Sequence, residues 1–259
     1  MKEQRLAAIT ERVIHQRTVA AAALAEEFGV SLMTIHRDLD ELASEGLLRR
    51  FHGGAAAIRD PLFEPDVTLR LRLAKSAKHD IAGAAVELLE SNSSVLLDDS
   101  TSALGVAHLL PDIGNFTVAT SFIPAIDTLK TRENVSLIGL GGEYYPHKNS
   151  FNGAGLLGAL ARIRVDVFFG SSAAVDVGGV YHQEPEVVTA KQCMMDRATT
   201  RVLLVDHTKI GTHALHRISD LRSWDVIITD AGIADRHLDQ LRSAATKVIV
   251  APSTSESSG

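Results

Sequence analysis

The chain has a single cysteine, no long apolar run and no large excess of charge of either sign. With Cys193 alone, no intrachain disulfide can form, and we expect a reducing, cytoplasmic location. No apolar run approaches the roughly 20 residues of a membrane-spanning helix, and the N-terminal MKEQRLAAITER lacks the apolar core of a signal peptide. We therefore expect no membrane partner, and a net charge of −6 argues against nonspecific coating of nucleic acid.

Metal and cofactor patterns are also missing. The closely spaced His213 and His216 have no carboxylate or cysteine beside them at metal-site spacing, so we expect a solvated pair and no metal. We expect no cofactor and no catalytic residue. The 259 residues, 45% of them hydrophobic, are enough for a small domain plus one of roughly 180 residues.

The segment SLMTIHRDLDELASEGLLRRFHGG, residues 31–54, predicts a DNA-reading helix followed by a basic hairpin. Ser31 suits the N-cap, and Ile35, Leu39 and Leu42 recur at helical spacing as a buried stripe. Gly46 ends the predicted helix. The free face is predicted to carry Thr34, His36, Arg37 and Asp38.

Upstream, the apolar spacing predicts a first helix around Ile9 and a short second helix over residues 19–28, with a turn at Gly29. Downstream, short runs at 47–50 and 55–58 flank two glycines and predict a wing. The alternative is a protein-docking helical domain. The predicted DNA contacts are Ser31, Thr34, His36 and Arg37 on the helix, and Arg49, Arg50, His52 and Gly53 on the wing.

Basic and acidic residues are equally numerous in this N-terminal module. A single copy would therefore bind double-stranded operator DNA weakly, so we expect a homo-oligomer, either a dimer or a tetramer. Pro61 and Pro65 mark a linker. We expect a winged helix-turn-helix over residues 1–59, a linker over 60–68, an effector-sensing and oligomerisation domain over 69–251, and a disordered tail over 252–259.

The larger domain should begin with a helix over residues 69–89, followed by seven short apolar runs separated by helical patterns. These runs begin near positions 94, 116, 135, 165, 201, 225 and 247. Runs of Val, Ile and Leu that alternate with helices are typical of parallel strands buried on both faces. The fold class is therefore α/β, with a winged helix-turn-helix ahead of a Rossmann-like, largely parallel sheet.

Polar clusters follow several of these strands, and ligands of open α/β sheets bind at the carboxyl ends of the strands. Hydroxyls and helix N-termini bind phosphate, and carboxylates accept from sugar hydroxyls, so the pattern predicts a pocket for a phosphorylated polyol. The alternative is that the hydroxyls only cap helices and the glycines only relieve turns. The clusters are Asp98–Ser102, Thr120–Ser121, Gly141–Gly142, Gly170–Ser172 and Asp206–Lys209.

The blocks GVSLMTIHRDLDELASEGLLRRFHGGA, LLDDSTSAL, GLGGEYYPHKNSFNG, DVFFG and LLVDHTKIG resemble, in order and spacing, those of DeoR-family transcription regulators of sugar metabolism. The resemblance implies a repressor with a sensor domain similar to ribose-5-phosphate isomerase and a phosphorylated sugar or sugar derivative as effector. Carried over by motif, the effector site comprises Asp98, Thr101, Ser102, Ser150, Phe151, Lys191, Asp206 and Lys209. With the strand-end residues Ser100, Thr120, Ser121, Gly170 and Ser171, these form the predicted effector site.

The chain departs from the family pattern at four places. His36 stands where an arginine is usual, and Ser100-Thr101-Ser102 replaces Gly-Thr-Thr. Ser121-Phe122 replaces Asn-Ser, and Ser172-Ala173-Ala174 replaces Val-Asp-Gly. Phe122, Ala173 and Ala174 would remove hydrogen-bonding groups or change backbone freedom, so we expect an altered pocket.

Two classes of function remain open at this stage. A DNA-binding repressor of a carbohydrate-catabolism operon accounts for both domains, whereas a sugar-phosphate isomerase or deacylase accounts only for the second. Catalysis would need an acid and a base from among Asp98, Asp99, Glu186, Lys191 and Asp206. The sequence does not separate a repressor from an activator.

Overall fold

The computed structural model describes residues 2–16, 18–44, 47–56 and 66–254, which group into two units. The first unit comprises the described residues up to position 56 together with Thr68–Ala74, and the second comprises the remaining described residues. The expected helix end at Gly46 lies outside the described residues. So do most of the expected linker, at positions 60–65, and most of the expected tail, at 255–259.

The first unit combines helices with a three-stranded antiparallel sheet of order β1-β3-β2. Its elements are α1 (Lys2–Gln16), β1 (Thr18–Ala20), α2 (Ala21–Glu27), α3 (Leu32–Ser44), β2 (Arg49–Phe51) and β3 (Gly54–Ala56). Helix α4 (Val67–Arg72) follows. The expected helix-turn-helix and wing are therefore both present.

Helix α3 forms as its sequence predicts. The Ser31 hydroxyl accepts a hydrogen bond from the Thr34 amide at 3.2 Å and so caps the first turn. Ile35, Leu39 and Leu42 are fully buried against side chains of α1 and α2. This stripe fixes which face of α3 remains exposed.

Two expectations for this unit are wrong. Val19 lies in strand β1, opposite Ala55 of β3, and not in the second helix, which begins at Ala21. A β-branched residue suits a strand, and the pairing is close because Gly54 has no side chain: a Cβ there would lie 2.1 Å from the Val19 carbonyl oxygen. The Ala21 amide also donates to the Gly53 carbonyl, at 2.8 Å.

Asp38 was expected on the exposed face of α3, and this is also wrong. It is only 2% exposed, and its carboxylate accepts from the Arg5 guanidinium of α1 at 2.6 Å. This ion pair raises the pKa of Arg5 through the hydrogen bond with Asp38. Asp38 therefore joins α3 to α1 and is not available to DNA.

The second unit is built on a seven-stranded parallel sheet of order β15-β14-β12-β9-β4-β5-β6. The helices are α5 (Lys75–Val86), α6 (Thr101–Leu109), α7 (Ile123–Leu129), α8 (Gly153–Leu160), α9 (Pro185–Arg197) and α10 (Asp235–Ala244). The sheet strands are β4 (Ser94–Leu97), β5 (Phe116–Thr120), β6 (Val135–Gly139), β9 (Val165–Gly170), β12 (Ala198–Leu204), β14 (Val226–Asp230) and β15 (Val248–Ala251). All seven expected strands are present, and the expected fold class is confirmed.

Smaller strands accompany this sheet, and the sequence patterns did not predict them. They are β7 (Glu143–Tyr145), β8 (Ser150–Asn152), β10 (Ala174–Asp176), β11 (Gly179–His182) and β13 (His216–Ser219). Strands β7 and β8 form a hairpin, and β10, β11 and β13 form an antiparallel sheet. The hairpin contributes to the candidate site described below.

The expected single helix over residues 69–89 is wrong. Helix α4 ends at Arg72 and α5 begins at Lys75, because Ala74 adopts a positive φ of 48°, which breaks an α-helix. The expectation that all seven strands are buried on both faces is wrong for β6, which lies at an edge of the sheet and leaves Ile138 39% exposed.

The order of strands places a topological switch between β4 and β9. From β4 the chain adds β5 and β6 on one side, and from β9 it adds β12, β14 and β15 on the other. In open α/β sheets the loops on either side of such a switch diverge at the carboxyl edge of the sheet, and ligands bind there. The core on one face involves α5, α6 and α7, and the core on the other involves α8, α9 and α10.

We predict that Asp38→Ala destabilises the first unit by about 3 kcal/mol, because it leaves the Arg5 guanidinium without its partner. Glu41→Ala is the matched control, since the exposed Lys2–Glu41 pair also joins α1 to α3. Surface pairs contribute little, so this variant should unfold like the wild type. Urea denaturation monitored by circular dichroism measures both, and equal effects of the two substitutions would contradict the prediction.

Candidate functional site

The exposed face of α3 carries Arg37, whose side chain is exposed, and Thr34 and His36, which are half-buried. Ser31 stands at the helix N-terminus and is engaged with Thr34. This end of the recognition helix is the part that helix-turn-helix proteins insert into a major groove. Arg37 is thus exposed on this face, and its contact with a base or a phosphate stays a prediction.

Arg50 of the wing contacts α3. Its guanidinium donates to the His36 carbonyl at 3.0 Å and to the Asp40 carboxylate at 2.6 Å, and another guanidinium nitrogen lies 2.8 Å from His36 Nδ1. Because arginine only donates, this contact is a hydrogen bond when the ring nitrogen accepts. The described contacts give Arg50 a positioning role between wing and helix, and its contact with DNA stays a prediction.

The wing offers the other exposed groups. Arg49 and His52 are exposed, and Gly53 adopts a φ of 89° at the tip, which glycine takes without strain. Arg37, Arg49 and His52 together form the exposed basic groups of the predicted DNA face.

The second candidate site lies at the switch between β4 and β9 and centres on Asp98, whose side chain is fully buried. One carboxylate oxygen accepts from the Ser100 amide at 3.0 Å, and the other accepts from the Ser171 amide at 2.7 Å. The Lys191 ammonium group of α9 donates to the second oxygen. Asp98 therefore joins the two diverging loops to α9.

Further polar contacts extend this network in both directions. Lys191 Nζ lies 3.8 Å from the Asp99 carboxylate, which accepts from the Ser150 hydroxyl at 3.1 Å. On the other side, Lys209 Nζ lies 3.5 Å from Ser171 Oγ and 3.7 Å from Asp206. We call the connected residues the strand-end network; they are Asp98, Asp99, Ser150, Ser171, Lys191, Asp206 and Lys209.

The predicted residues near β5 adjoin this network through the β7–β8 hairpin. Phe151 donates its amide to the Ser121 carbonyl at 3.0 Å, and Ser150 pairs with Phe122 as an isolated bridge. Thr120 Oγ1 accepts the Phe122 amide at 3.1 Å. Phe122 itself is fully buried in the core, so its replacement of a family serine changes packing at this place.

Helix α6 begins at the switch, and its first turn carries three predicted site residues. The Ser100 hydroxyl caps the helix by accepting from the Ala103 amide at 3.0 Å, so capping accounts for its presence. Ser102 Oγ is fully buried and, within the described residues, has no hydrogen-bond partner. An unpaired buried hydroxyl costs free energy, which indicates a site that a ligand or water completes.

Gly170 has a packing role. A Cβ on this residue would lie 2.6 Å from the Phe168 ring and 3.1 Å from Trp224. The two aromatic rings stack at a centroid distance of 5.8 Å. Glycine is therefore required here by the core beneath the loop.

Two polar pairs near this edge were not assigned to the site from the sequence. The buried Lys148 ammonium lies 3.0 Å from the Glu184 carboxylate, which joins the hairpin to the start of α9. His207 Nδ1 lies 2.7 Å from Asp230, at the ends of β12 and β14. Asp99 and His207 both lie in the strand-end clusters of the sequence. Their partners, Ser150 of the hairpin and Asp230 of β14, become apparent only from the structure.

Asp230 is held as a carboxylate. Burial alone would raise the pKa of Asp230. Hydrogen bonds from the ring and amide of His207 and from the Gly232 amide together outweigh burial, so the pKa lies below the ordinary value.

Three cavities of the second unit are lined by residues outside the strand-end network. A cavity of 390 Å³ is lined by residues that include Arg201 and Arg217, near the start of β14. Cavities of 330 and 360 Å³ lie at the amino ends of β5, β6, β9 and β12. The candidate site is therefore identified by its converging polar side chains.

In residues 2–16, 18–44, 47–56 and 66–254, no group of three or more His, Cys, Asp or Glu side chains could hold a metal ion. His213 lies 3.0 Å from Asp176. Within the same ranges no helix combines the length and apolar content needed to cross a membrane.

Two family models together match most of the chain. The DeoR-like helix-turn-helix domain matches residues 5–60, and the DeoR C-terminal sensor domain matches residues 74–231. A winged DNA-reading module followed by a sensor domain defines a class of DNA-binding transcription regulators. The chain belongs to the DeoR family of that class.

Individual relatives resemble the chain over nearly their whole length. The transcriptional repressor AccR of Agrobacterium fabrum is 30% identical over 232 residues, 89% of this chain and 90% of that protein. The glycerol-3-phosphate regulon repressor of Escherichia coli is 30% identical, covering 88% and 90%. The L-fucose operon activator of Haemophilus influenzae is 31% identical, covering 88% and 91%.

Among solved structures, ribose 5-phosphate isomerase A from Methanocaldococcus jannaschii is similar, with a TM-score of 0.37 and 16% identity over 51% of this chain and 52% of that one.

We predict that Asp230→Asn lowers the free energy of unfolding of the second unit by about 1–3 kcal/mol at pH 7. The depressed pKa of Asp230 makes its contribution present above about pH 3.9 and lost as pH falls through the depressed value. The difference between wild type and variant in urea should therefore shrink in acid. Asp239→Asn, at an exposed position, is the control, and a difference independent of pH would contradict the assignment.

Proposed function

We propose that the protein represses a carbohydrate-catabolism operon by binding operator DNA, and that a phosphorylated sugar or sugar derivative releases it. The observation that carries the effector proposal is the strand-end network, in which Lys209 contacts Ser171 and Asp98 accepts from the Ser100 amide at the start of α6, beside the buried Ser102 hydroxyl. Helix N-termini and cations bind phosphate, and the nearby carboxylates accept from sugar hydroxyls. The L-fucose operon activator and the glycerol-3-phosphate regulon repressor among the relatives support a role in carbohydrate metabolism. The two relatives named as repressors support repression over activation.

Lys209 is the proposed phosphate ligand. Its side chain is 26% exposed, whereas that of Lys191 is 4% exposed and is paired with Asp98. Lys191 and Asp98 therefore position the loops, while the ammonium group of Lys209 is accessible to an entering anion. The proposed effector ligands also include Ser100, Thr101, Ser102, Thr120, Ser121, Ser150, Phe151, Ser171 and Asp206.

A binding role fits this site better than acid–base catalysis. The buried Asp98 carboxylate accepts from two amides and from Lys191, so both titratable groups are occupied with each other. A general base must instead reach the proton that it removes from the substrate. The proposed regulator therefore binds the sugar phosphate without converting it.

The proposed signal passes through the β7–β8 hairpin. Ser150 contacts Asp99 of the network, and His147 in the same hairpin accepts the Val67 amide at 3.0 Å. Val67 belongs to the second unit and is the first residue of α4, whose other residues belong to the first unit. A tenfold loss of DNA affinity requires about 1.4 kcal/mol of coupling between effector and DNA.

Removing the Arg37 guanidinium should weaken DNA binding without unfolding the protein. If Arg37 contacts a guanine through two hydrogen bonds, Arg37→Ala costs about 1–3 kcal/mol and relaxes specificity at one base pair. Fluorescence anisotropy with a duplex selected from a random pool by the wild type measures the loss. The exposed Arg162→Ala makes the same charge change in the second unit, and an equal effect of both would argue against the assignment.

Lys209→Ala should abolish the response to effector and leave DNA affinity without effector unchanged, because it removes the accessible cation alone. Sugar phosphates are titrated into the protein–DNA complex, and release of the labelled duplex is followed. The exposed Lys247→Ala is the control. An equal response of wild type and Lys209→Ala would place the effector elsewhere, and no response to any sugar phosphate would refute the proposed effector class.

We further propose that the sensor domain forms the homo-oligomer, because a single module with balanced charge makes few phosphate contacts. Light scattering on residues 69–251 at micromolar concentration should then give a dimer or a larger assembly. A monomer under these conditions would contradict the proposal.

A further inference from the structure

Met33 presents a large apolar side chain to solvent at the start of the recognition helix. It is 63% exposed, and its neighbour Leu32, the first residue of α3, is 47% exposed. Single exposed apolar residues are common, but here two occur in the helical turn that a helix-turn-helix protein inserts into DNA. Their position therefore indicates that they contact a partner of this helical turn.

Helical geometry places Met33 opposite the buried stripe. Residues of an α-helix are separated by about 100°, so Met33 lies about 200° from Ile35, which is fully buried. Arg37 follows four residues after Met33 and shares its face. Met33 and Arg37 thus form one exposed surface, with Met33 nearer the helix N-terminus.

The charge around this surface indicates the chemistry of its partner. Arg37 lies on the same helix face, and Arg49 and His52 are exposed on the wing of the same unit. A partner that contacts all of these groups must carry negative charge and also present an apolar group to Met33. In the major groove of duplex DNA that group is the C5 methyl of thymine, flanked by phosphates.

We propose that Met33 is a specificity-determining residue that contacts the C5 methyl group of a thymine in the operator. This proposal rests on the proposed DNA binding by α3. It adds that Met33 recognises one type of base, thymine. The adjacent Thr34 and Arg37 supply polar contacts, whereas Met33 supplies an apolar contact that distinguishes thymine from the other bases.

The test compares thymine with deoxyuridine, which lacks only the methyl group. The full-length wild type selects a tight duplex from a random pool, and each thymine is then replaced singly. At one position per half-site the wild type should lose about fourfold in affinity, the effect of one buried methyl group. Met33→Ala should bind the thymine duplex correspondingly weakly and should not distinguish deoxyuridine at that position.

Two further variants control for fold and for bulk. Met33→Leu retains an apolar side chain and should keep the discrimination, and Leu215→Ala removes an equally exposed apolar group from the second unit and should change nothing. Leucine, alanine and methionine are all strong helix formers, so α3 should persist, as circular dichroism will check.

Equal thymine discrimination by wild type and Met33→Ala, or no discrimination by either, would overturn the proposal while leaving DNA binding intact. Light scattering provides a second check. If Met33→Ala forms a smaller oligomer than the wild type and still distinguishes thymine from deoxyuridine, Met33 contacts another copy of the chain and the proposal is overturned. If the wild type enriches no duplex at all, DNA binding itself fails, and the contact fails with it.

Discussion

The carboxylate of Asp98 is the interaction on which the carboxyl edge of the sheet depends. A buried carboxylate is tolerated only when hydrogen bonds replace its water shell, and here the donors come from the loop after β4, the loop after β9 and helix α9. Each donor group is therefore held in place. The loops that diverge at the switch are fixed relative to each other before any ligand arrives, which lowers the ordering cost of binding.

In the first unit, too, charged side chains join separate elements of the fold. Arg50 joins the wing to the backbone and ring of His36 and to Asp40, while the Arg5–Asp38 pair joins the first and third helices. Much of the unit's charge is thereby committed to internal contacts. Among the described residues of the module, Arg37 and Arg49 are exposed, whereas Arg5, Arg12 and Arg50 pair with carboxylates of the same unit.

Much of the fold could be predicted from the sequence because its main signals are local. Seven runs of Val, Ile and Leu predicted the parallel strands, and Ser31 with the stripe of Ile35 predicted the recognition helix. Strand β1 and the small antiparallel strands were missed because three or four residues carry too little periodicity and owe their conformation to distant partners. The break at Ala74 has neither glycine nor proline to mark it.

From the sequence we could predict which loops contribute to the candidate site, but not which of their side chains pair. Strand ends indicated Asp98, Ser171 and Lys209, whereas Lys191 lies within a helix and was assigned from the family resemblance alone. Pairs such as Asp99 with Ser150 and His207 with Asp230 depend on which strands are neighbours. Asp38 was misplaced for the same reason, since its partner Arg5 is 33 residues away in the chain.

The short strand β1 has a mechanical consequence for DNA recognition. It pairs with β3 of the wing and continues directly into α2, whose first amide donates to the carbonyl of Gly53 at the wing tip. The wing and the helix-turn-helix are therefore one stiff body. When the spacing of grooves in a duplex does not match this body, the duplex must bend or twist to fit, and the elastic energy of that deformation depends on its sequence. The affinity for an operator thereby depends also on the flexibility of base-pair steps that no side chain contacts.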